Sequence, residues 1–322
     1  MSCSAQAWRT HRAIGHDDLA FHCGLTTATF SVTGESMLPR SSAGSHNWEV
    51  RVKVGQIEVL PVKDGTGTVP PGLLFAASEK DWEPHRRFLD DKGQLPMEVG
   101  GFLLRGVEDR VALVDVGLGP IGARIGMGSF LDTLTSLGVH PTDVTDVLLT
   151  HLHLDHIGWA ATEGKPTFPN ATYRCSASDW AYFVDPGGAA PTPMAAMLGA
   201  PSESEMLEPV ADRVVPWSEG PLFPGVDVMT APGHTPGSTV IVLSSGTERA
   251  LLIGDVAHCP VELLDTDWAA LSDVDPDLAR RTRESLAREY EGTDVPMAAS
   301  HFEGMSFGRL LSGQGRRQWV FE

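Results

Sequence analysis

Cysteine is scarce in this chain. Four are present among 322 residues, Cys3, Cys23, Cys175 and Cys259, with no CxxC spacing. That pattern suggests neither a disulfide scaffold nor a structural zinc site of the finger or ribbon kind. Basic charge is also short: 24 lysines and arginines face 42 aspartates and glutamates, a formal net charge of −18. Such a surface is a poor polyanion binder, so nucleic acid is not expected as a partner, and the acidity is read as a solubility feature. No run approaches ~18 consecutive apolar residues, so neither a membrane-spanning helix nor a membrane partner is expected. The N-terminal stretch MSCSAQAWRTHRAIGHDDLAFHCG lacks the continuous apolar core of a signal peptide, because His, Asp and Arg interrupt it. A cytoplasmic location is the expectation. Residues 1–47 are rich in Ser, Thr, Gly and Ala without sustained periodicity. They read as a disordered extension, with the folded domain spanning 48–322.

Against this background one stretch stands out. HLHLDH, residues 151–156, supplies three imidazoles and a carboxylate, His151, His153, Asp155 and His156. It follows VLLT, residues 147–150, which reads as a buried strand. The cluster therefore sits where open α/β folds often place their chemistry, on the loop leaving a strand. Alternate residues of an extended segment point the same way, so His151 and His153 can grip one ion. Asp155 and His156 lie beyond the bend and can aim at a second. Neutral imidazole and carboxylate suit zinc and similar borderline cations.

Three further pieces have the same character. APGHTPGS, residues 231–238, puts His234 in a Pro/Gly turn after an apolar strand. GDVAH, residues 254–258, puts Asp255 directly after the strand-like ALLI. SHFEG, residues 300–304, puts His301 after another strand-like run. Alone, each is a turn or capping residue. Together they form a constellation.

That order of motifs resembles the metallo-β-lactamase fold superfamily of binuclear metallohydrolases, over roughly residues 49–322. DHIGW, FPNATYRCSASDW and GDVAHCP look like the branch of N-acyl-homoserine lactonases and methyl-parathion-type hydrolases. The resemblance implies an αββα sandwich, two mixed sheets with helices on the outer faces. It implies that His151, His153 and His234 hold a first metal, that Asp155, His156 and His301 hold a second, and that Asp255 bridges them. The ions are expected to be zinc, with iron, cobalt or manganese as alternatives. The implied activity is hydrolysis of a lactone or carboxylic ester, with Asp155 also moving a proton. Phosphotriester hydrolysis is the alternative, followed by a mono-iron dioxygenase of the same fold. The partner is a small-molecule substrate, and a homodimer is the assembly that the same resemblance suggests.

Other expectations come from patterning. WEVRVKV and IEVLPV form a hairpin across Gly55-Gln56, and residues 63–95 form a loop-rich excursion that is either a lid or ordinary surface. Asp115, before the Gly117 turn, suits the orienting of a ligand imidazole. Helices are expected over 129–138, from Ser176 in a capping-box-like start with Asp179, and over 276–290 with Pro276 in the first turn. Trp159, Trp180 and Phe183 are candidates for an apolar substrate pocket or for the core. His258 is a candidate substrate contact or a buried hydrogen-bonded histidine.

Overall fold

Apolar side chains alternate toward two different layers along most strands, and this produces two stacked mixed sheets. The computed structural model describes residues 52–185, 192–265, 267–313 and 315–322, so the expected extension over 1–47 lies outside the described residues. The first sheet contains β1 (Val52–Val54), β2 (Ile57–Val69), β3 (Leu95–Val107), β4 (Arg110–Val114) and β5 (Asp146–Leu148). A small separate hairpin follows, β6 (Ala161–Thr162) and β7 (Lys165–Pro166), and then β8 (Thr172–Ser176) and β9 (Val214–Trp217) complete the first sheet. Strands β1 to β4 are antiparallel, and β5, β8 and β9 continue parallel to β4. The second sheet holds β10 (Gly220–Phe223), β11 (Val226–Thr230), β12 (Thr239–Ser245), β13 (Glu248–Leu252), β14 (Met297–Ala298), β15 (Gly308–Gly313) and β16 (Arg316–Phe321). Its pairings are antiparallel except β13 with β14. The helices are α1 (Phe130–Ser136), α2 (Leu154–Ile157), α3 (Ala177–Phe183), α4 (Pro193–Leu198), α5 (Glu203–Leu207), α6 (Val261–Leu264) and α7 (Pro276–Tyr290).

Three apolar layers hold these elements together. Phe102, Leu104, Val114 and Leu148 meet Val226, Ile241, Leu243 and Leu252 between the sheets. Their strand neighbours Leu103, Leu113 and Val147 point the other way, against Phe130 and Leu134 of α1 and Leu207 of α5. On the far side, Val240, Leu251 and Met297 pack with Val261 and Leu263 of α6 and Leu286 and Ala287 of α7. The result is the expected αββα sandwich. Each large side chain fully buried in these layers contributes about 2 kcal/mol of transfer free energy. Among the described residues, no helix is long and apolar enough to cross a membrane.

The hairpin forms over Val52–Val54 and the start of β2, with Val54 opposite Ile57, while residues 48–51 of the expected first strand lie outside the described residues. The loop-rich excursion is shorter than expected. Residues up to Val69 continue β2 and pair with β3 as far as Leu95. Gly65 and Gly67 read locally as loop, but pairing with a long neighbour overrides their weak β-propensity. Within the remainder, Phe75, Trp82 and Phe88 are buried on the outer face of the second sheet. Trp82 and Trp268 meet edge to face with centroids 4.6 Å apart. Helix α7 has the expected bounds, with Pro276 in its first turn and the Asp275 side chain accepting from the Leu278 N–H at 2.9 Å.

An irregularity in β2 matters for the site. Register shifts between Lys63 and Gly65, and Asp64 between them is fully buried. Its Oδ2 accepts from Leu118 N at 2.7 Å and Gly119 N at 3.3 Å. Its Oδ1 accepts from Phe130 N at 2.8 Å and Trp159 Nε1 at 2.9 Å. One carboxylate thus ties the loop after β4 to the start of α1 and the exit of α2. In an Asp64→Asn variant, one acceptor oxygen becomes an NH2 group facing two donors. The expected loss is about 2 kcal/mol of folding stability, read from a lower denaturant midpoint. An unchanged midpoint would contradict this role.

Candidate metal centre

After β5 the chain bends at Thr150 and His151 and is extended again at His153, which precedes the short helix α2. His151 and His153 project together, with His151 Nε2 3.1 Å from His153 Nδ1. The Pro/Gly turn after β11 brings His234 Nε2 to 2.9 Å from the same Nδ1. Helix α2 turns Asp155 and His156 to the other side. There the segment after β14 delivers His301, whose Nε2 lies 3.4 Å from Asp155 Oδ2. Asp255, on the turn after β13, lies between the two groups. Its Oδ2 is 3.7 Å from His151 Nε2, 3.5 Å from His234 Nε2 and 3.3 Å from His301 Nε2. Its Oδ1 is 3.3 Å from His156 Nε2.

All seven side chains are buried, and their donor atoms form overlapping groups that could hold metal ions. The spacing fits that use. Zinc–nitrogen bonds of about 2.0–2.1 Å in a tetrahedron place donor atoms about 3.3 Å apart. His156 Nε2 and Asp255 Oδ1 have no hydrogen-bond partner although buried, a costly arrangement that a cation between them would relieve. The N/O donor set suits borderline divalent ions.

Electrostatics divides the imidazoles. Burial, reinforced by neighbouring imidazoles, holds His151 and His153 well below the ordinary histidine value, so they are neutral and offer lone pairs. Burial also opposes protonation of His156 and His301, but there the nearby carboxylates, Asp255 above all, outweigh it and raise both. Burial disfavours the Asp255 carboxylate, yet His156, His301 and His258 together hold it well below the usual range.

The imidazoles are braced from behind. His156 Nδ1 donates to Asp115 Oδ2 at 2.9 Å, and the same carboxylate takes the backbone N–H and hydroxyl of Thr150, each at 2.8 Å. Asp115 therefore orients a ligand-type histidine as expected, and it does so from left-handed backbone, at φ 59°. His301 Nδ1 donates to the Glu98 carbonyl at 2.8 Å, and His234 Nδ1 to Asp273 Oδ1 at 3.1 Å. In Asp115→Asn, the amide can keep the Thr150 contacts only by turning its NH2 toward His156. That favours the tautomer with a proton on Nε2. We expect metal affinity to fall about 10–100-fold, measured by chelator competition; wild-type affinity would refute it.

Asp179 corrects an expectation. Ser176 caps α3 by accepting from Ser178 N, but Asp179 does not complete a capping box. It turns inward and accepts from Leu152 N at 3.2 Å, Gly237 N at 2.6 Å and the Thr235 hydroxyl at 2.9 Å. It thereby joins the His151–His153 segment to the His234 turn. Burial pushes its carboxyl up to about 6 against these three donors.

The aromatic candidates separate. Phe183 lies edge-on to His153, centroids 5.5 Å apart. Trp159 is packed in the outer core of the first sheet with its indole N–H on Asp64, and Trp180 lies against the same core. His258 joins the cluster, with Nε2 3.3 Å from Asp255 Oδ2. Sequence reading missed Asp64, Asp273, Glu262 and Arg283. Asp64, Asp273 and Arg283 carry no local motif because they meet partners from other elements, and the short spacing of Glu262 from His258 and Cys259 is too common to single it out.

Comparison with known proteins agrees with this geometry. Residues 101–290 match the family model of the metallo-beta-lactamase superfamily. The chain is 31% identical over 253 residues to metallo-beta-lactamase domain-containing protein 1 of Mus musculus, covering 76% of this chain and 80% of that protein. Among solved structures it resembles hydrolase AbOPH of the beta lactamase superfamily, at 27% identity and TM-score 0.72, over 84% of this chain and 96% of that one. It shares its fold with AidC, a dizinc quorum-quenching lactonase solved with a product, N-hexanoyl-L-homoserine. That likeness has TM-score 0.75 at 24% identity, again over 84% and 96% of the two chains. The chain belongs to the metallo-beta-lactamase superfamily and is a metal-dependent hydrolase.

Proposed function

We propose that this hydrolase opens lactones, or cleaves carboxylic esters, at a centre of two divalent ions. His151, His153 and His234 hold the first ion, Asp155, His156 and His301 the second, and Asp255 bridges them. The observation carrying this reading is the position of Asp255, whose two oxygens lie 3.3–3.7 Å from Nε2 of His151, His156, His234 and His301. The likeness to a dizinc lactonase supports zinc and a lactone, although the same donors suit iron, cobalt and manganese. Bound there, such ions would lower the pKa of water toward about 7 and polarise the scissile carbonyl.

The chain's own residues supply orientation and proton handling. His153 and Asp155, each 6% exposed, are the least buried of the seven, so the substrate approaches from their side. Phe183 beside His153 offers an apolar wall to an acyl or aryl group, and Tyr182 meets it edge to face with centroids 4.9 Å apart. The Asp155 carboxylate takes up the proton released on attack and returns it to the leaving oxygen. His258 borders the reacting volume from the Asp255 side. Trp159 and Trp180 serve packing in this reading.

The test is metal analysis of the purified protein with a panel of γ- and δ-lactones, homoserine lactones, aryl esters and a phosphotriester. Two ions per chain with chelator-sensitive lactone or ester turnover is the expected result. Turnover confined to the phosphotriester would replace the substrate class. One iron per chain without hydrolysis would overturn the proposal in favour of an oxygenase.

A further inference from the structure

Behind the proposed centre, α7 buries a guanidinium completely. Arg283 is 0% exposed, yet its charge is not spent on one partner. Nη1 and Nη2 lie 3.3 and 3.4 Å from Asp273 Oδ2, and Nη1 lies 3.5 Å from Glu262 Oε1. Nη2 also donates to the Trp268 carbonyl at 2.7 Å, which fixes the plane of the group.

Each carboxylate turns its other oxygen toward an imidazole of the cluster. Asp273 Oδ1 is 3.1 Å from His234 Nδ1. Glu262 Oε2 is 3.4 Å from His258 Nδ1, and it accepts from the backbone N–H of His258 at 2.6 Å and of Cys259 at 3.1 Å. The far nitrogens of both imidazoles converge on one atom. His234 Nε2 is 3.5 Å and His258 Nε2 3.3 Å from Asp255 Oδ2. Asp255, His234, Asp273, Arg283, Glu262 and His258 therefore close a ring, with Arg283 opposite Asp255.

We propose that Arg283 is a positioning residue that sets His234 and His258 together against Asp255 by clamping the carboxylates behind both imidazoles. The inference rests on the binuclear reading above. The carboxylate behind His234 Nδ1 keeps the proton there and leaves the Nε2 lone pair facing the ion, while Glu262, 3.4 Å from His258 Nδ1, holds His258 chiefly through its backbone N–H. Two such carboxylates buried a few ångströms apart repel each other unless a cation sits between them. A planar fork with several fixed N–H groups serves both at once, whereas an ammonium on a flexible stem supplies the charge without the geometry. His234 and His258 thereby become coupled: a shift at one carboxylate is passed through the guanidinium to the other imidazole.

Three variants test this. Arg283→Lys keeps the charge. Arg283→Met alone leaves two buried carboxylates unbalanced. The triple variant Arg283→Met, Asp273→Asn, Glu262→Gln removes all three charges at similar shape, so no uncompensated buried charge is left behind. The readouts are thermal unfolding, metal affinity by chelator competition, and the visible spectrum of the cobalt-loaded protein. We expect Arg283→Lys and the triple variant to melt near the wild type. Both should bind metal about 10–100-fold more weakly, with shifted cobalt bands. If Arg283→Lys fails to fold, the triple variant decides. Wild-type affinity and spectrum in whichever variant folds would show that Arg283 serves the fold alone, and would overturn the proposal by itself. A wild-type chain that binds no divalent ion would overturn the centre and this proposal together.

Discussion

Replacing Asp255 by asparagine is expected to cost the protein one of the two metal ions proposed above and to lower kcat/KM by about 10²–10³-fold, the scale of losing one preorganised charge-stabilising group. The physical reason is the crowding of imidazoles around this carboxylate. Its oxygens lie within 3.3–3.7 Å of Nε2 of His151, His156, His234, His258 and His301. Asparagine removes the negative charge and offers one oxygen in place of two. Its NH2 group would point a donor at nitrogens whose lone pairs should face a cation. The backbone has little reason to change, because Asp255 occupies a short turn whose neighbour Val256 is anchored in the core. The effect should therefore appear in metal content and turnover while the circular dichroism spectrum stays the same. A variant retaining two ions per chain at full activity would rule out Asp255 as the bridge.

The second large effect is expected at a glycine. Gly158 follows α2, and its N–H donates to the Gly117 carbonyl at 2.7 Å. Val116 N donates to the His156 carbonyl at 2.8 Å, and Trp159 N to the Val116 carbonyl at 3.1 Å, so two backbone segments run side by side here. A Cβ on Gly158 would fall on the carbonyl carbon and oxygen of Leu118 and on the nitrogen of Gly119. These are backbone atoms, held from the other side by Asp64, and they cannot turn aside as a flexible side chain could. Gly158→Ala should push α2 outward and carry Asp155 and His156 with it. We expect a loss of about 3 kcal/mol or more, at or beyond the upper end of overpacking costs. Metal content should fall toward one ion per chain, with the His151, His153 and His234 group retained. A melting temperature and metal count equal to wild type would show that the two segments separate more easily than their hydrogen bonds suggest.

Much of the architecture could be read from local pattern. The helix over 276–290 was legible because Pro276 marks its first turn. The Gly55-Gln56 hairpin was legible for the same kind of reason. The far half of β2 was not, since Gly65 and Gly67 are weak strand formers whose segment pairs with the long strand β3. Asp179 was misread because the spacing from Ser176 is that of a capping box, and nothing in the local text says that its side chain turns toward Leu152 and Gly237.

The chemistry on offer was already written in the linear chain. Seven imidazoles and carboxylates stand in four short motifs, each just past a strand. Ligand type and strand-end placement are local properties, so short motifs carry them. What stands behind those groups emerged only from the folded arrangement. Asp64 acts on the exit of α2 from 95 residues away in the chain, through Trp159, and Arg283 reaches Glu262 and Asp273 from a different element. Buried charges are tolerated only where distant segments bring their partners. Such partners leave no periodicity or spacing to read, and it is they that set the orientation of each imidazole.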